Sequence, residues 1–271
     1  MTAATPPKRL CAAATNRNIG STLLLPPHWR GGNGVAVTSC QPRHHNGLAR
    51  CWFCLSPVSR ESAPLCRQCL SELSYIPEQR CLRCALPLPG GTLCRECADH
   101  PPPFDSACIP LCYDRHSAQL IKSIKRHSHS TALPLLAKLC AESLQRSAPM
   151  AERQLVAVPL HPRRTLVRGF CQAALLARAI SQQLAPHRPD ERSVMLCRHH
   201  YQPRQQGQSR RQRLSNLHRA FTANGAAGVA IGLVDDVVTT TATARAAATA
   251  LRDAGATSVT LVAVARTPKR R

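Results

Sequence analysis

A chain of 271 residues is long enough for one medium domain plus a small one, and its apolar content is ordinary for a globular protein. Its 36 Lys and Arg against 14 Asp and Glu give a formal charge of +22, which suits polyanionic partners unless it is Arg-rich compositional drift; with two Trp, three Tyr and four Phe, any nucleic-acid contact rests on charge more than stacking. No stretch reaches the ~18 apolar residues of a membrane helix and no signal-peptide core of about 7–15 apolar residues follows the start, so the expected compartment is the cytoplasm and the 15 cysteines read as reduced thiols or metal ligands.

Residues 1–48 hold no acid, little periodicity and many Pro, Gly, Thr and Asn, which predicts a disordered leader or a start codon assigned too early. The texture changes at Cys51. Four Cys-x-x-Cys pairs follow, Cys51/Cys54, Cys66/Cys69, Cys81/Cys84 and Cys94/Cys97, separated by eleven, eleven and nine residues. Two residues between thiolates let both sulfurs of a knuckle face one ion, and two knuckles complete a tetrahedral zinc site. A redox Cys-x-x-Cys would be a single motif between a strand and a helix, not four copies in succession. Eight thiols therefore predict two structural zinc ions, with sequential and cross-braced groupings both compatible with the spacing. Such closed sites scaffold or bind and do not catalyse. His100 reads as a surface residue, and Pro101-Pro102-Pro103 as a stiff connector that ends the module at about residue 100.

A second domain is expected over residues 105–267. Residues 109–113 read as its first strand, 118–125 as a helix with Leu120, Ile121 and Ile124 on one side, and 132–144 as a second helix with Cys140 turned inward as a small hydrophobe. Lys122, Lys125 and Arg126 fit either a solvated helix face or part of an anion surface. A buried strand over 155–160 runs into the basic stretch from His161 to Gln172, and a helix over 173–184 follows. From Arg198 to Arg219, with Arg213 among six arginines, there is no acid at all. A short apolar run without alternation, Gly228 to Val234, then predicts a strand buried on both faces, followed at once by Asp235 and Asp236. An Ala-rich helix from Ala242 stops at Gly255, a second strand covers 259–264, and Arg266 and Thr267 lie past it, with a basic tail over 268–271. Strand, loop, helix and strand make one βαβ unit, whose carboxyl edge sets two carboxylates beside a Thr cluster and helix N–H groups, a pairing that suits a ribose 5-phosphate.

The segment from Gly228 to Thr243 resembles the phosphoribosyl-pyrophosphate loop of type I phosphoribosyltransferases, and the chain over residues 50–267 is similar to the ComF/GntX family, bacterial proteins of competence and of DNA use as a nutrient. The landmarks come in the family order: Cys pairs, Arg168-Gly169-Phe170-Cys171-Gln172, then Asp235-Asp236. The resemblance implies a type I phosphoribosyltransferase-like α/β parallel sheet flanked by helices, carrying an amino-terminal double zinc ribbon with sequential ligand pairs. It implies that Asp235 and Asp236 are the catalytic pair holding the ribose hydroxyls, and that Thr239, Thr240, Thr241, Ala242 and Thr243 wrap the 5-phosphate. Arg163, Arg164 and Arg168, with Arg213 from the later basic stretch, would meet pyrophosphate or a DNA backbone, as bidentate guanidinium forks suit phosphate. Thr241 stands where the family has Gly and Cys171 where it has Asn. Should the loop need φ > 0 at Thr241, a β-branched residue costs about 1–2 kcal/mol there.

Two functions are implied. One is a protein of DNA uptake or use that holds phosphoribosyl groups or single-stranded DNA while its zinc module docks a helicase-like partner. The other is an active transferase using Mg²⁺ and phosphoribosyl pyrophosphate with an amine or base acceptor. No Gly-x-x-x-x-Gly-Lys-Ser/Thr or Gly-x-Gly-x-x-Gly motif occurs, so the chain does not read as an ATP-driven motor.

Overall fold

In chain order the elements are β1 (Ala49–Arg50), β2 (Pro57–Val58), α1 (Arg67–Ser71), α2 (Arg95–Asp99), β3 (Ser106–Cys108), β4 (Leu111–Cys112), α3 (Arg115–Arg126), α4 (Ala132–Ser147), β5 (Arg153–Ala157), α5 (Pro162–Arg168), α6 (Gln172–Leu184), β6 (Met195–Arg198), β7 (Phe221–Asn224), β8 (Ala230–Val238), α7 (Ala242–Asp253) and β9 (Ser258–Arg266). This computed structural model describes residues 49–58, 64–147, 153–184, 194–199 and 220–268, all within one compact unit. The expected leader and most of the basic stretch, Arg213 included, lie outside the described residues.

The parallel sheet is built on β8 and β9, whose apolar runs leave no polar face to turn toward water. They pair from Ala230 opposite Ser258 to Val238 opposite Arg266. β5 lies against the other side of β8, while β3 and β4 follow one another along the outer side of β9, giving the order β3-β9-β8-β5 with every pairing parallel. The α/β fold class follows the expectation; three details correct it. The first strand is not one run over 109–113 but two short pieces, because Pro110 has no N–H with which to continue a ladder. β5 ends at Ala157, ahead of Pro159. Arg266 is the last residue of β9 and buried, not past the strand.

Side-chain alternation along β8 and β9 divides the interior in two. On one face, Val234, Val262 and Val264 meet Leu120, Ile121 and Ile124 of α3, Leu136 and Leu144 of α4 and Leu176 and Ile180 of α6. On the other, Ile231, Leu233, Leu261 and Ala263 meet the alanines and Leu251 of α7 and Phe221 of β7. Full burial of one such Leu or Ile contributes about 1.5–3 kcal/mol. The cysteine modules divide likewise: Cys51, Val58, Leu65, Cys69 and Leu73 join the α3/α4 core, whereas Cys81, Cys84, Ala85, Leu86, Cys94 and Cys97 join the α7 core. The chain between them covers the sheet edge, with Ile76 N donating to Pro110 O (2.8 Å) and Cys112 N to Ser74 O (2.7 Å). The edge beside β4 is thus capped by the chain's own backbone.

α3 begins earlier than its apolar stripe, since Asp114 and Ser117 form a reciprocal capping box. Asp105, just past the connector, accepts both 2.6 Å contacts from Arg252 Nη2 of α7 and one from Val259 N, fastening connector, helix and sheet. Gly255 ends the α7 excursion at φ +90°, and a Cβ there would stand 3.0 Å from the Ala227 Cα. Gly255→Ala is therefore expected to lower unfolding stability by about 2 kcal/mol, read as a lower urea midpoint at unchanged slope.

Candidate functional site

The eight thiols of the four Cys-x-x-Cys pairs converge as two sequential groups, Cys51, Cys54, Cys66 and Cys69, and Cys81, Cys84, Cys94 and Cys97, with all ligand atoms of a group within 4.8 Å of one another. Zinc–sulfur bonds of about 2.3 Å in a tetrahedron place sulfurs about 3.8 Å apart. The separations of Cys54 and Cys66 Sγ, 3.5 Å, and of Cys84 and Cys94 Sγ, 3.7 Å, fit that edge. The two knuckles repeat one another: Cys51 N bonds Ser56 O as Cys81 N bonds Leu86 O, and Leu55 and Ala85 both take the left-handed conformation that turns the chain back. Burial pushes the Cys51 and Cys81 thiols up, but backbone N–H groups aimed at the sulfurs outweigh it and bring them down to about 6 and about 7. Cys69 and Cys97 are raised by burial first and then by the neighbouring thiols. Four sulfurs that cannot all shed their protons unaided are a donor set for a divalent cation, so both groups fit structural zinc. His100 is exposed and belongs to neither.

At the carboxyl edge of the sheet the strand β8 delivers Asp235 and Asp236 to opposite faces. Asp236 is buried and meets Lys125 Nζ of α3 at 2.6 Å, with Gln172 Nε2 of α6 donating to it at 3.4 Å. Arg168 Nη1 in turn donates to Gln172 Oε1 at 2.6 Å, so a chain Arg168, Gln172, Asp236, Lys125 joins the basic turn after β5 to the acidic end of β8. Asp235 is half-buried and has no comparable ion pair among the described residues; burial, then the charge of Asp236, pushes it up to about 7.

Beyond β8 the chain turns through Thr239 and Thr240, both exposed, to Thr241, which is buried at φ +62° and caps α7 in the left-handed region. The loop does demand φ > 0 where the family pattern has Gly. Thr241 Oγ1 makes no capping bond; it accepts from Arg245 Nε at 3.1 Å, and Arg245 continues to His100 O and Pro101 O. Ala242 and Thr243, half-buried, open α7.

The turn after β5 is not an open loop but the short helix α5, capped by His161 and closed by Gly169 at φ +80°. It buries none of its residues, leaving Arg163 and Arg164 exposed beside Leu166 and Val167. His161 Nδ1 accepts from Arg163 N, and burial, with Arg198, Arg163 and Arg164 around it, holds the imidazole below its usual range. Cys171 directs Sγ to Val158 O at 3.8 Å. Arg198, last in β6, lies 5.3 Å over the Phe221 ring; burial, then Arg164, lowers it, against the pull of Asp235.

Sequence reasoning missed three residues that hold this edge. Lys125 carried no signal separating it from its solvated neighbours Lys122 and Arg126. Arg245 sits in an Ala-rich helix and reads as surface. Arg266 donates from Nε to Cys84 O and from Nη1 to Val238 O, Thr239 O and Thr267 O; the only hint was an arginine closing an apolar run. Among the described residues no helix is long and apolar enough to cross a membrane.

A family model described as a double zinc ribbon domain matches residues 49–98. The "DNA utilization protein YhgH" of Escherichia coli K12 is 30% identical over 223 residues, 80% of this chain and 96% of that protein. The protein of the same description from Salmonella typhi is 30% identical over 232 residues with the same coverage, and that of Shigella flexneri 29% over 223.

Metal analysis is expected to return two zinc ions per chain, falling to one in Cys54→Ser and one in Cys94→Ser. Native Asp235 keeps its proton to higher pH than the unfolded chain, whose carboxyl ionises near 3.8, so between those values the native state binds more protons and stability falls as pH rises. The gain in urea midpoint of Asp235→Asn over wild type is accordingly expected to grow from about pH 4 to 7 and level off above.

Proposed function

This chain belongs to the ComF/GntX family, and from that premise we propose that it is a DNA utilization protein whose carboxyl sheet edge grips phosphoribosyl groups, on free sugar phosphates or along single-stranded DNA. The observation that carries this reading is the chain from Arg168 through Gln172 and Asp236 to Lys125, which ties the guanidinium-bearing turn after β5 to the acidic strand end. Asp235 accepts from the ribose hydroxyls, with the buried Asp236 held behind it by Lys125 and Gln172, while Thr239, Thr240, Thr243 and the first N–H groups of α7 receive the 5-phosphate. Arg163 and Arg164, exposed and unburdened by packing, meet a second anion: a diphosphate, or the next phosphate of a strand. Deoxyribose has no 2-hydroxyl, so DNA engages the guanidinium side more than the acids.

The zinc ribbons serve as scaffold and docking module for a helicase-like partner. Leu55 and Leu82, 64% and 61% exposed at equivalent knuckles, support that role. A second reading is a Mg²⁺-dependent transferase acting on phosphoribosyl pyrophosphate. Asp235 favours it, because a carboxylate raised by burial and a like-charged neighbour gains from a cation or hydroxyl donors placed against it.

Both are tested by thermal shift with phosphoribosyl pyrophosphate and Mg²⁺, alongside single-stranded DNA binding at two salt concentrations. Saturable stabilisation, lost in Asp236→Asn, is expected for the sugar-phosphate site. Two arginine–phosphate contacts, from Arg163 and Arg164, predict DNA affinity falling about 7-fold between roughly 50 and 200 mM salt. No stabilisation together with salt-insensitive DNA binding overturns the proposal, and release of pyrophosphate on adding an acceptor base selects the transferase.

A further inference from the structure

A guanidinium with 5% of its surface exposed needs a reason to be buried, and Arg266 has no carboxylate within ion-pair distance among the described residues. Its hydrogen-bond partners among the described residues are all carbonyls. Nε reaches Cys84 O at 3.1 Å, and Nη1 reaches Val238 O at 3.1 Å, Thr267 O at 3.0 Å and Thr239 O. Carbonyl dipoles ease the loss of water but do not neutralise the charge, and a buried cation left so costs several kcal/mol. One of those carbonyls belongs to Cys84, a member of the second thiol group. A divalent ion held there by four thiolates would keep a net charge of about −2 and so would give the guanidinium a counter-charge.

The same side chain grips the start of the loop. Val238 and Thr239 are the residues at which β8 leaves the sheet, and Arg266 holds both of their carbonyls while holding a knuckle of the metal site. A second brace acts on the far end of the turn, where Arg245 links Thr241 Oγ1 to His100 O and Pro101 O, three and four residues beyond the ligand Cys97. The turn is thus clamped at both ends to the second ribbon. Among the described residues the first ribbon makes no such tie: Cys51, Cys66 and Cys69 pack with the α3 and α4 core and Cys54 is exposed, whereas all four cysteines of the second centre are buried.

We infer that the second thiolate centre and the turn of residues 239–241 form one coupled unit, in which Arg266 and Arg245 carry metal occupancy to the loop while the first centre takes no part. Coupling of this kind is reciprocal: what steadies the turn also holds the metal. That the turn binds a sugar phosphate rests on the function proposed above; the coupling itself does not.

The zinc-loaded full chain is compared with Arg266→Met, Cys94→Ser and Cys54→Ser by amide exchange resolved to residues 239–243, with zinc counted in each. Cys94→Ser is expected to speed exchange there about tenfold, and Cys54→Ser to leave it unchanged. Arg266→Met is expected to keep two zinc ions, to show the same faster exchange, and to lose the second zinc to a chelator about tenfold sooner. Should Cys94→Ser fail to fold, Arg266→Met carries the test alone. Unchanged exchange in Arg266→Met with both ions retained, or equal loosening by Cys54→Ser and Cys94→Ser, overturns the inference. Ribose 5-phosphate is expected to slow zinc loss from the second centre; if it does not while the exchange results hold, the coupling stands and the sugar-phosphate reading of the loop fails.

Discussion

The burial of Asp236 fixes the site around it. A carboxylate withdrawn from water at a strand end is stable only if a cation and further donors meet it, and here Lys125 at 2.6 Å and Gln172 at 3.4 Å do so. Meeting that need constrains three helices at once. α3 must end against β8 to deliver Lys125, α6 must begin there to deliver Gln172, and Gln172 then draws Arg168 at the close of α5. The guanidinium turn is placed beside the acids because a buried charge has to be answered, and not because two loops happen to lie close. Asp235, half-buried on the same strand, has no such ion pair among the described residues, and burial, then the charge of Asp236, pushes its carboxyl up to about 7.

The cysteine modules solve a different problem. Neither is large enough to bury a core of its own, and an ion in each thiol group would supply the missing cohesion. Each module then adds its buried cysteines to a different face of the sheet, so the pair straddles the β3/β4 edge, and the chain between them hydrogen-bonds to that edge. The module is therefore continuous with the sheet domain at the level of packing, although sequence composition marks a boundary at the three prolines. Arg252 and Asp105 fasten the connector itself to α7 and β9.

Legibility in the sequence followed the range of the interaction. Spacing within a few residues told the truth: the Cys-x-x-Cys pairs, the uninterrupted apolar run of β8, the Ala-rich α7 and its Gly255 stop all describe local chemistry, and the structure has them where expected. Partners far apart in the chain left no such mark. Lys125 and Asp236 are more than a hundred positions apart, and nothing in the helix pattern separates Lys125 from Lys122, which stays exposed. Arg266 looked like the start of a basic tail because charge usually ends a buried strand; its burial depends on carbonyls from Cys84 and Thr239 that no window of sequence contains. β3 was missed for a related reason, since three residues of edge strand earn their ladder only from β9.

Thr241 shows how such distant contacts decide a local conformation. At φ +62° a β-branched residue gives up about 1–2 kcal/mol that glycine would not, and on intrinsic preference the turn should open. Glycine, however, has no hydroxyl. The Oγ1 of Thr241 accepts from the Arg245 guanidinium, a charge-assisted bond of a kind that contributes about 1.5–3 kcal/mol when shielded, and that guanidinium reaches on to the backbone beyond the second ribbon. The two magnitudes are comparable, so the exchange of Gly for Thr trades conformational ease for a tether at little net cost. What changes is where the shape of the turn comes from. A glycine turn adopts its form unaided, whereas this one is braced at Thr241 by Arg245 and at Val238 and Thr239 by Arg266, and both arginines also bond backbone carbonyls of the second cysteine module or just beyond it.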